Sequence, residues 1–504
     1  MTLAAVATVA AACAGSDGAG GGDDDTVTMG NLYGFVTFDP ALTPPPALDY
    51  LSPVYDSLVV RKGIDTFEPG LATEWEYDGK ARTLRLVLRA GVVFTDGAPF
   101  DAEAVAKNFE HGKTATSGSW FDVYNAMEAI EVVSDKELVI TFSSAQPAIV
   151  ETLAAPPGMM VSPRALEDPD SLGTTPVGTG PWRLDAERTV ANDSYVFVRN
   201  EDYWDPAVQR VDRVVIKPLV EPSTMVNALK AGQVDVIGIT GGEAKSLEGQ
   251  GYVVGSMGAA MEVLVLADGR GEVSKPLADV DVRRALGYSL DRPSILDATF
   301  GGRGTSSVNP FEEGSVGYSE RLDGAYDRDV EQARALLAGA GYPDGFTVET
   351  YITPAHSLIA EAVAGQLADI GVELKVNVVE NAGALSDRIA KKQSPVLVNA
   401  TGIRSAYEFY TAFAGPGGRY NPFGSTSPRL EELAAEVRQL GTNDRAEATR
   451  VYGELFDELI YGEALVIPVF RQELPVVMRK GVEAELDTYA GTIPNPRNLT
   501  IDGE

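Results

Sequence analysis

The chain has 504 residues, room for roughly two to four domains of ordinary size. Hydrophobic residues make up 44% and charged residues 23%, a balance that excludes a mainly disordered chain. Lys plus Arg number 41 against 73 Asp plus Glu, and a net charge of -32 repels phosphate backbones and anionic lipid, so nucleic acid is excluded as a partner.

The chain opens on a largely apolar run from Leu3 to Gly15. It is shorter than the ~20 residues a bilayer needs but suits the apolar core of a signal peptide. The sole cysteine, Cys13, lies near its end, so no intrachain disulfide is available. Val9-Ala10-Ala11-Ala12-Cys13 resembles a bacterial lipobox, with Ala10 where leucine is usual. No charged residue precedes Cys13, which points to a start upstream of Met1. Residues 14–25 are Gly-rich and acidic and cannot pack. We therefore expect residues 1–25 to be a leader and flexible tether, with Cys13 lipidated and the body held extracytoplasmically, on the outer face of the cytoplasmic membrane or in the periplasm.

Folded patterns begin near Thr26. Between Tyr50 and Pro163 the pattern predicts strands at Leu84–Leu88 and Leu138–Phe142 and a helix behind Asp101, a good N-cap. Val211–Pro218 is β-branched. Ser223–Ala231 reads as a helix behind Pro222 and closed by Gly232, and Val234–Ile237 as a short strand. Phe346, Val348, Thr350 and Ile352 alternate as a strand. Ala360, Val363, Ala364 and Leu367 have helical spacing ahead of Gly371, and Val372, Leu374, Val376 and Val378 alternate again. Strand, helix and strand at that spacing predict a parallel crossover. A last helix (Ala446, Val451, Leu455, Leu459) leads into a strand at Val466–Phe470. Two such regions predict two α/β lobes with an α+β insertion.

Catalytic patterns are sparse. Gly112-Lys113-Thr114 lacks the upstream glycine of a phosphate loop, because position 107 is Lys107. No serine has the glycines of a nucleophile elbow. The two histidines, His111 and His356, stand far apart, so neither a His-built metal site nor a cofactor is expected.

Val54-Tyr55-Asp56-Ser57-Leu58-Val59, Phe67-Glu68-Pro69-Gly70-Leu71-Ala72 and Arg89-Ala90-Gly91 through Phe94-Thr95-Asp96-Gly97 occur in order. Val177-Gly178-Thr179-Gly180-Pro181-Trp182, Asn200-Glu201-Asp202-Tyr203-Trp204, Ala228-Leu229-Lys230-Ala231-Gly232 and Asp281-Val282-Arg283-Arg284-Ala285-Leu286 follow. Together they resemble the extracellular solute-binding proteins of family 5, the peptide- and nickel-type receptors of ABC importers. Trp75, Trp182 and Trp204 read as packing residues within these segments.

The resemblance implies a two-lobe, periplasmic-binding-protein-like fold of type II, in its large form. Lobe I would span residues 26–265, with the inserted subdomain at about 50–163. Lobe II would span 266–475, and residues 476–504 would return to lobe I. The chain would cross near Val263–Leu266 and Phe470–Val477. It implies a monomeric receptor, not an enzyme, that closes on a peptide-like or other small solute and delivers it to a membrane permease. Implied ligand contacts are Tyr33 and Phe35 before Asp39-Pro40, and Thr401, Arg404 and Tyr407 in the second lobe. Ala406 falls where peptide receptors carry an aspartate for the α-amino group, so a free-amine peptide meets no carboxylate there. Arg404 could hold a carboxylate or phosphate instead. Two alternatives stand beside this reading: a secreted hydrolase using two carboxylates, and a ligand sensor without transport.

Overall fold

The computed structural model describes residues 25–116, 118–239, 241–402, 405–486 and 493–501. Cys13 and Arg404, expected above to carry the lipid and an anion, lie outside the described residues.

The main sheet has nine strands among the described residues. Its middle is built by two long antiparallel strands, Val253–Val265 and Val466–Met478. At one end, Val476–Met478 also pairs with Val236–Gly238, which continues into Thr26–Asn31 and Arg213–Pro218. At the other end, Ala260–Val265 pairs with Leu397–Gly402, and Gly304–Thr305 pairs with Arg471 and Gln472. The ladder between the two long strands is irregular at Met257–Ala259. One pair of strands therefore belongs to both halves of the molecule.

The apolar cores follow that division. One gathers Val27, Trp182, Phe197, Val214 and Val476, with Leu499 brought back from the C-terminus. Another runs from Met261 to Phe470. A third fills the insertion, around Leu86, Phe94, Phe109 and Phe142.

Local chemistry accounts for the elements. The expected helix at Ser223–Ala231 is found at Pro222–Lys230. Gly232, at φ +68°, lets its N–H reach Leu229 O while Gln233 N reaches Ala228 O, the paired closure of a Schellman turn. The crossover is as expected: Phe346–Ile352 runs parallel to Val372–Val378, and the helix Ser357–Ala368 connects them. In the insertion, Asp101 caps the helix Ala102–Gly112 by accepting from Ala104 N at 2.9 Å. Lys113 and Thr114 thus follow a helix end, not a strand, which is no setting for a phosphate loop.

The inserted sheet has four strands, in the order Ala72–Asp78, Thr83–Leu88, Glu137–Phe142, Met127–Ser134. Only the inner two were expected as strands. Gly180 passes so near Val54, a residue of the first core, that a Cβ would lie 2.5 Å from its carbonyl carbon.

Candidate functional site

The expected residues, and others that the sequence did not mark, fall in three places. The first is the loop after Thr26–Asn31. Asn31 donates to Asp49 at 2.7 Å and accepts from Tyr33 N at 2.8 Å, and the Tyr50 hydroxyl donates to Tyr33 O at 2.8 Å. These bonds fix the loop and leave the Tyr33 ring 45% exposed. Phe35 behaves differently. Its ring centroid lies 4.5 Å from Phe38 and 4.6 Å from Tyr195, so the ring is used within the first core.

The second place is the junction of the long strands. Met261 stands opposite both Thr401 and Arg471, and Arg471 opposite Thr305. Opposed residues in an antiparallel ladder share a face, so these four form a row across the sheet. Arg471 is a cation the sequence reading missed. One of its terminal nitrogens lies 3.3 Å from the exposed carboxylate of Glu312, while its buried Nε has no acceptor among the described residues. On the adjoining strand position, Glu262 is 2% exposed. Gln472 donates to one of its oxygens at 3.3 Å, and the other has no partner among the described residues. Burial pushes its carboxyl up to about 7.

The third place is a cavity of about 180 Å3 between the insertion and the second half. Trp75 and Tyr77 come from an inserted strand, Glu151 from the short helix Ile149–Leu153, Tyr407 from the helix Ala406–Phe413, and Tyr452 from the helix Arg445–Phe456. Ala406 lines the same cavity. Glu151 brings a carboxyl group to the same space. Burial raises the Glu151 carboxyl above its ordinary value. Arg61 and its own backbone N–H oppose that rise, and Glu408 and Asp65 add to it. Asp65 is already engaged, accepting from Val316 N at 2.7 Å and pairing with Arg445 at 3.1 Å.

Both histidines are occupied locally. His111 meets Asp39 at 2.8 Å, and the His356 Nε2 accepts from Ala400 N at 3.3 Å. Among the described residues no three His, Cys, Asp or Glu side chains converge on a metal position. No described helix is long and apolar enough to cross a membrane.

A two-part molecule threaded by two shared strands, with a polar junction and a cavity between its parts, is the architecture of a solute-binding protein. The family model for bacterial extracellular solute-binding proteins, family 5 Middle, matches residues 66–421. The chain belongs to that family. The glutathione-binding protein GsiB of Pectobacterium atrosepticum is 27% identical over 413 residues, covering 77% of each chain. Among solved structures, the fold is shared with HbpA2 from Haemophilus parasuis, at a TM-score of 0.80 and 22% identity over 94% of this chain and 99% of that one. It is also shared with the periplasmic binding protein DppA from Helicobacter pylori in complex with the peptide STSA, at 0.74 and 22% over 95% and 98%. The fold is therefore the type II periplasmic-binding-protein fold, and the family, GsiB and DppA are named for binding, not for catalysis.

Proposed function

We propose that the chain is the receptor of an ABC importer, that it captures a small peptide-like solute between its lobes, and that it hands the closed form to a membrane permease. The observation that carries this is the pair of long strands common to both lobes. A bend where their ladder is irregular, at Met257–Ala260 against Gln472–Leu474, moves one lobe on the other without breaking either core. That hinge lies a few residues before the crossing at Val263–Leu266 that the resemblance implies.

Tyr33 and Tyr407 are the aromatic contacts of the site and Thr401 a polar one. Arg471 joins Arg404 as a partner for an anionic group, and Phe35 supports Tyr33 from the core. Closure needs a ligand that touches both lobes. A micromolar solute supplies about 8 kcal/mol for capture and closure together. The receptor works as a monomer, tethered outside the cytoplasmic membrane through Cys13. Glutathione is the first solute to try, because the GsiB relatives are named for it.

Mass spectrometry of solute co-purifying with the protein, followed by small-angle scattering with and without it, tests the reading. The expected result is a smaller radius of gyration with solute. A tightly bound solute that leaves the radius unchanged refutes closure, and turnover of the solute refutes a receptor. Replacing Cys13→Ser, behind a complete leader, is expected to move the protein from the membrane fraction to the soluble fraction. Unchanged membrane association refutes the anchor.

A further inference from the structure

We propose that the insertion is a reversible latch on the second lobe: Asp65 and the turn after Tyr77 hold residues 314–316 and 440–445 when the lobes are together and release them when the lobes part. This deepens the receptor reading and rests on it.

The insertion is anchored to the first lobe. His111 meets Asp39 at 2.8 Å, Trp120 Nε1 donates to Thr43 O at 2.8 Å, and Thr95 N donates to Gly178 O at 2.9 Å. The chain passes to the second lobe and back only along the two long strands. A bend in those strands therefore moves the insertion against the second lobe. Another ion pair between the lobes, Arg303 with Glu248 at 3.2 Å, stands beside the hinge, because Gly304 pairs with Gln472. A pair next to the pivot moves least, so the contacts of the insertion are the ones that bending breaks.

Those contacts are polar and reciprocal. Asp65 Oδ2 accepts from Val316 N at 2.7 Å and pairs with Arg445 at 3.1 Å, and Arg445 also donates to Gly314 O at 3.2 Å. One carboxylate oxygen thus gathers two segments of the second lobe. Nearby, Tyr77 N donates to Thr442 Oγ1 at 3.0 Å, and Thr442 N donates back to Tyr77 O at 3.0 Å. Asn443 donates to Glu76 at 3.2 Å. The two backbones meet at a pair of glycines. A Cβ at Gly441 would lie 2.5 Å from Tyr77 O, and one at Gly79 would strike Leu440 O and Gln439. Neither glycine has a positive φ, so the close approach, not the path of the chain, is what a side chain there would spoil.

The contact is fitted, yet it is not a core. Among the described residues, Ile64 is the one apolar side chain of the insertion packed on the core of the second lobe. A cavity of about 180 Å3 stays open between the two surfaces. A permanent junction would be filled to the density of an interior. Glu76, Asn443 and Arg445 are exposed, so water can replace their partners at small cost. Such a contact can open and close with the lobes. While shut, it raises the fraction of closed receptor that a solute finds, and apparent affinity rises with that fraction.

The test is hydrogen exchange of the full chain, dialysed free of solute, read at the Val316 and Thr442 amides, which both donate across the contact. Both are expected to exchange faster than the strands Thr83–Leu88 and Val263–Val265. Asp65→Ala and Gly79→Ala are each expected to speed both amides by about tenfold, to leave those strands unchanged, and to enlarge the radius of gyration in scattering. Asp65→Ala removes the shared acceptor, and Gly79→Ala obstructs the approach from a position whose nearest neighbours are Gln439 and Leu440. Amides that exchange only as slowly as the core strands overturn the proposal. So does a variant that speeds one amide alone, a variant that speeds the core strands equally, or an unchanged radius in both variants. Unlatching without a smaller radius on the co-purified solute sinks the receptor reading alone. A smaller radius on that solute, with both amides as slow as the core strands, sinks the latch alone.

Discussion

Glu262 is where a single-atom change should be most readable. It lies on a strand shared by both lobes, is 2% exposed and leaves one oxygen without a partner among the described residues. Burial pushes its carboxyl from an ordinary 4.5 to about 7. The folded chain thus favours the protonated form. The stabilising effect of that proton is fully present below pH 4.5 and is lost as pH rises through 7. A displacement of this size corresponds to about 3 kcal/mol between the two plateaus. Glu262→Gln is neutral at every pH and keeps an acceptor for Gln472. Its amide leaves a donor where the unpartnered oxygen was, at a constant cost of about 1–3 kcal/mol. The pH dependence is therefore the quantity to read, not the absolute stability. Urea unfolding of both proteins between pH 4 and pH 8 gives it, since every other carboxylate cancels in the difference. The wild type should lose about 3 kcal/mol relative to the variant across that range. A difference that stays constant within about 0.5 kcal/mol refutes the desolvation argument.

Arg497 pairs with Asp56 at 2.7 Å and donates to Tyr203 at 2.7 Å, which ties the C-terminal return to the first lobe. Arg497→Met is expected to cost about 3–5 kcal/mol in thermal unfolding and to open residues 493–501 to protease; a loss under 1 kcal/mol contradicts a structural role. Gly180→Ala places a methyl 2.5 Å from the Val54 carbonyl carbon and should cost about 1–3 kcal/mol by urea midpoint, and an unchanged midpoint refutes the close approach. Arg471→Ala should weaken the co-purifying solute by about 2–5 kcal/mol in calorimetry. A change below about 0.5 kcal/mol places Arg471 outside the binding contacts.

The fold was legible wherever one face of an element is buried and the other wet. The crossover from Phe346 to Val378 shows this: Val348, Thr350 and Ile352 point inward, with Thr347, Glu349 and Tyr351 between them. One outer strand of the insertion lacks that contrast, whereas Ala72–Asp78 carries it, with Trp75 and Tyr77 set between exposed Glu74, Glu76 and Asp78. Met127–Ser134 carries Glu128 and Glu131 and is mostly exposed, so no alternation marks it. Val253–Val265 fails for the opposite reason. Met261, Glu262, Val263 and Leu264 are all buried, and a strand covered on both faces has no period of two.

The cavity was not legible, because its walls come from five separate stretches of chain. Tyr407 alone was expected there. Glu151 sits in a helix of five residues, too short for any periodicity, and nothing near it in sequence anticipates Tyr452 across the cavity.

The junction did leave a trace. Val466–Met478 is apolar except for Arg471, Gln472 and Glu473. Three polar residues inside a buried strand are expensive unless each finds a partner. Here the partners come from the facing segments: Arg471 meets Glu312, Gln472 meets Glu262, and Glu473 accepts from Ser256 at 2.6 Å. The polar interruption falls where the strand passes from one lobe to the other. An all-apolar crossing would pack as tightly as either core and hold the lobes in one relative position. Polar pairs can exchange one another for solvent as the angle changes, which keeps the open and closed arrangements close in free energy. That closeness is what allows a small solute to decide between them.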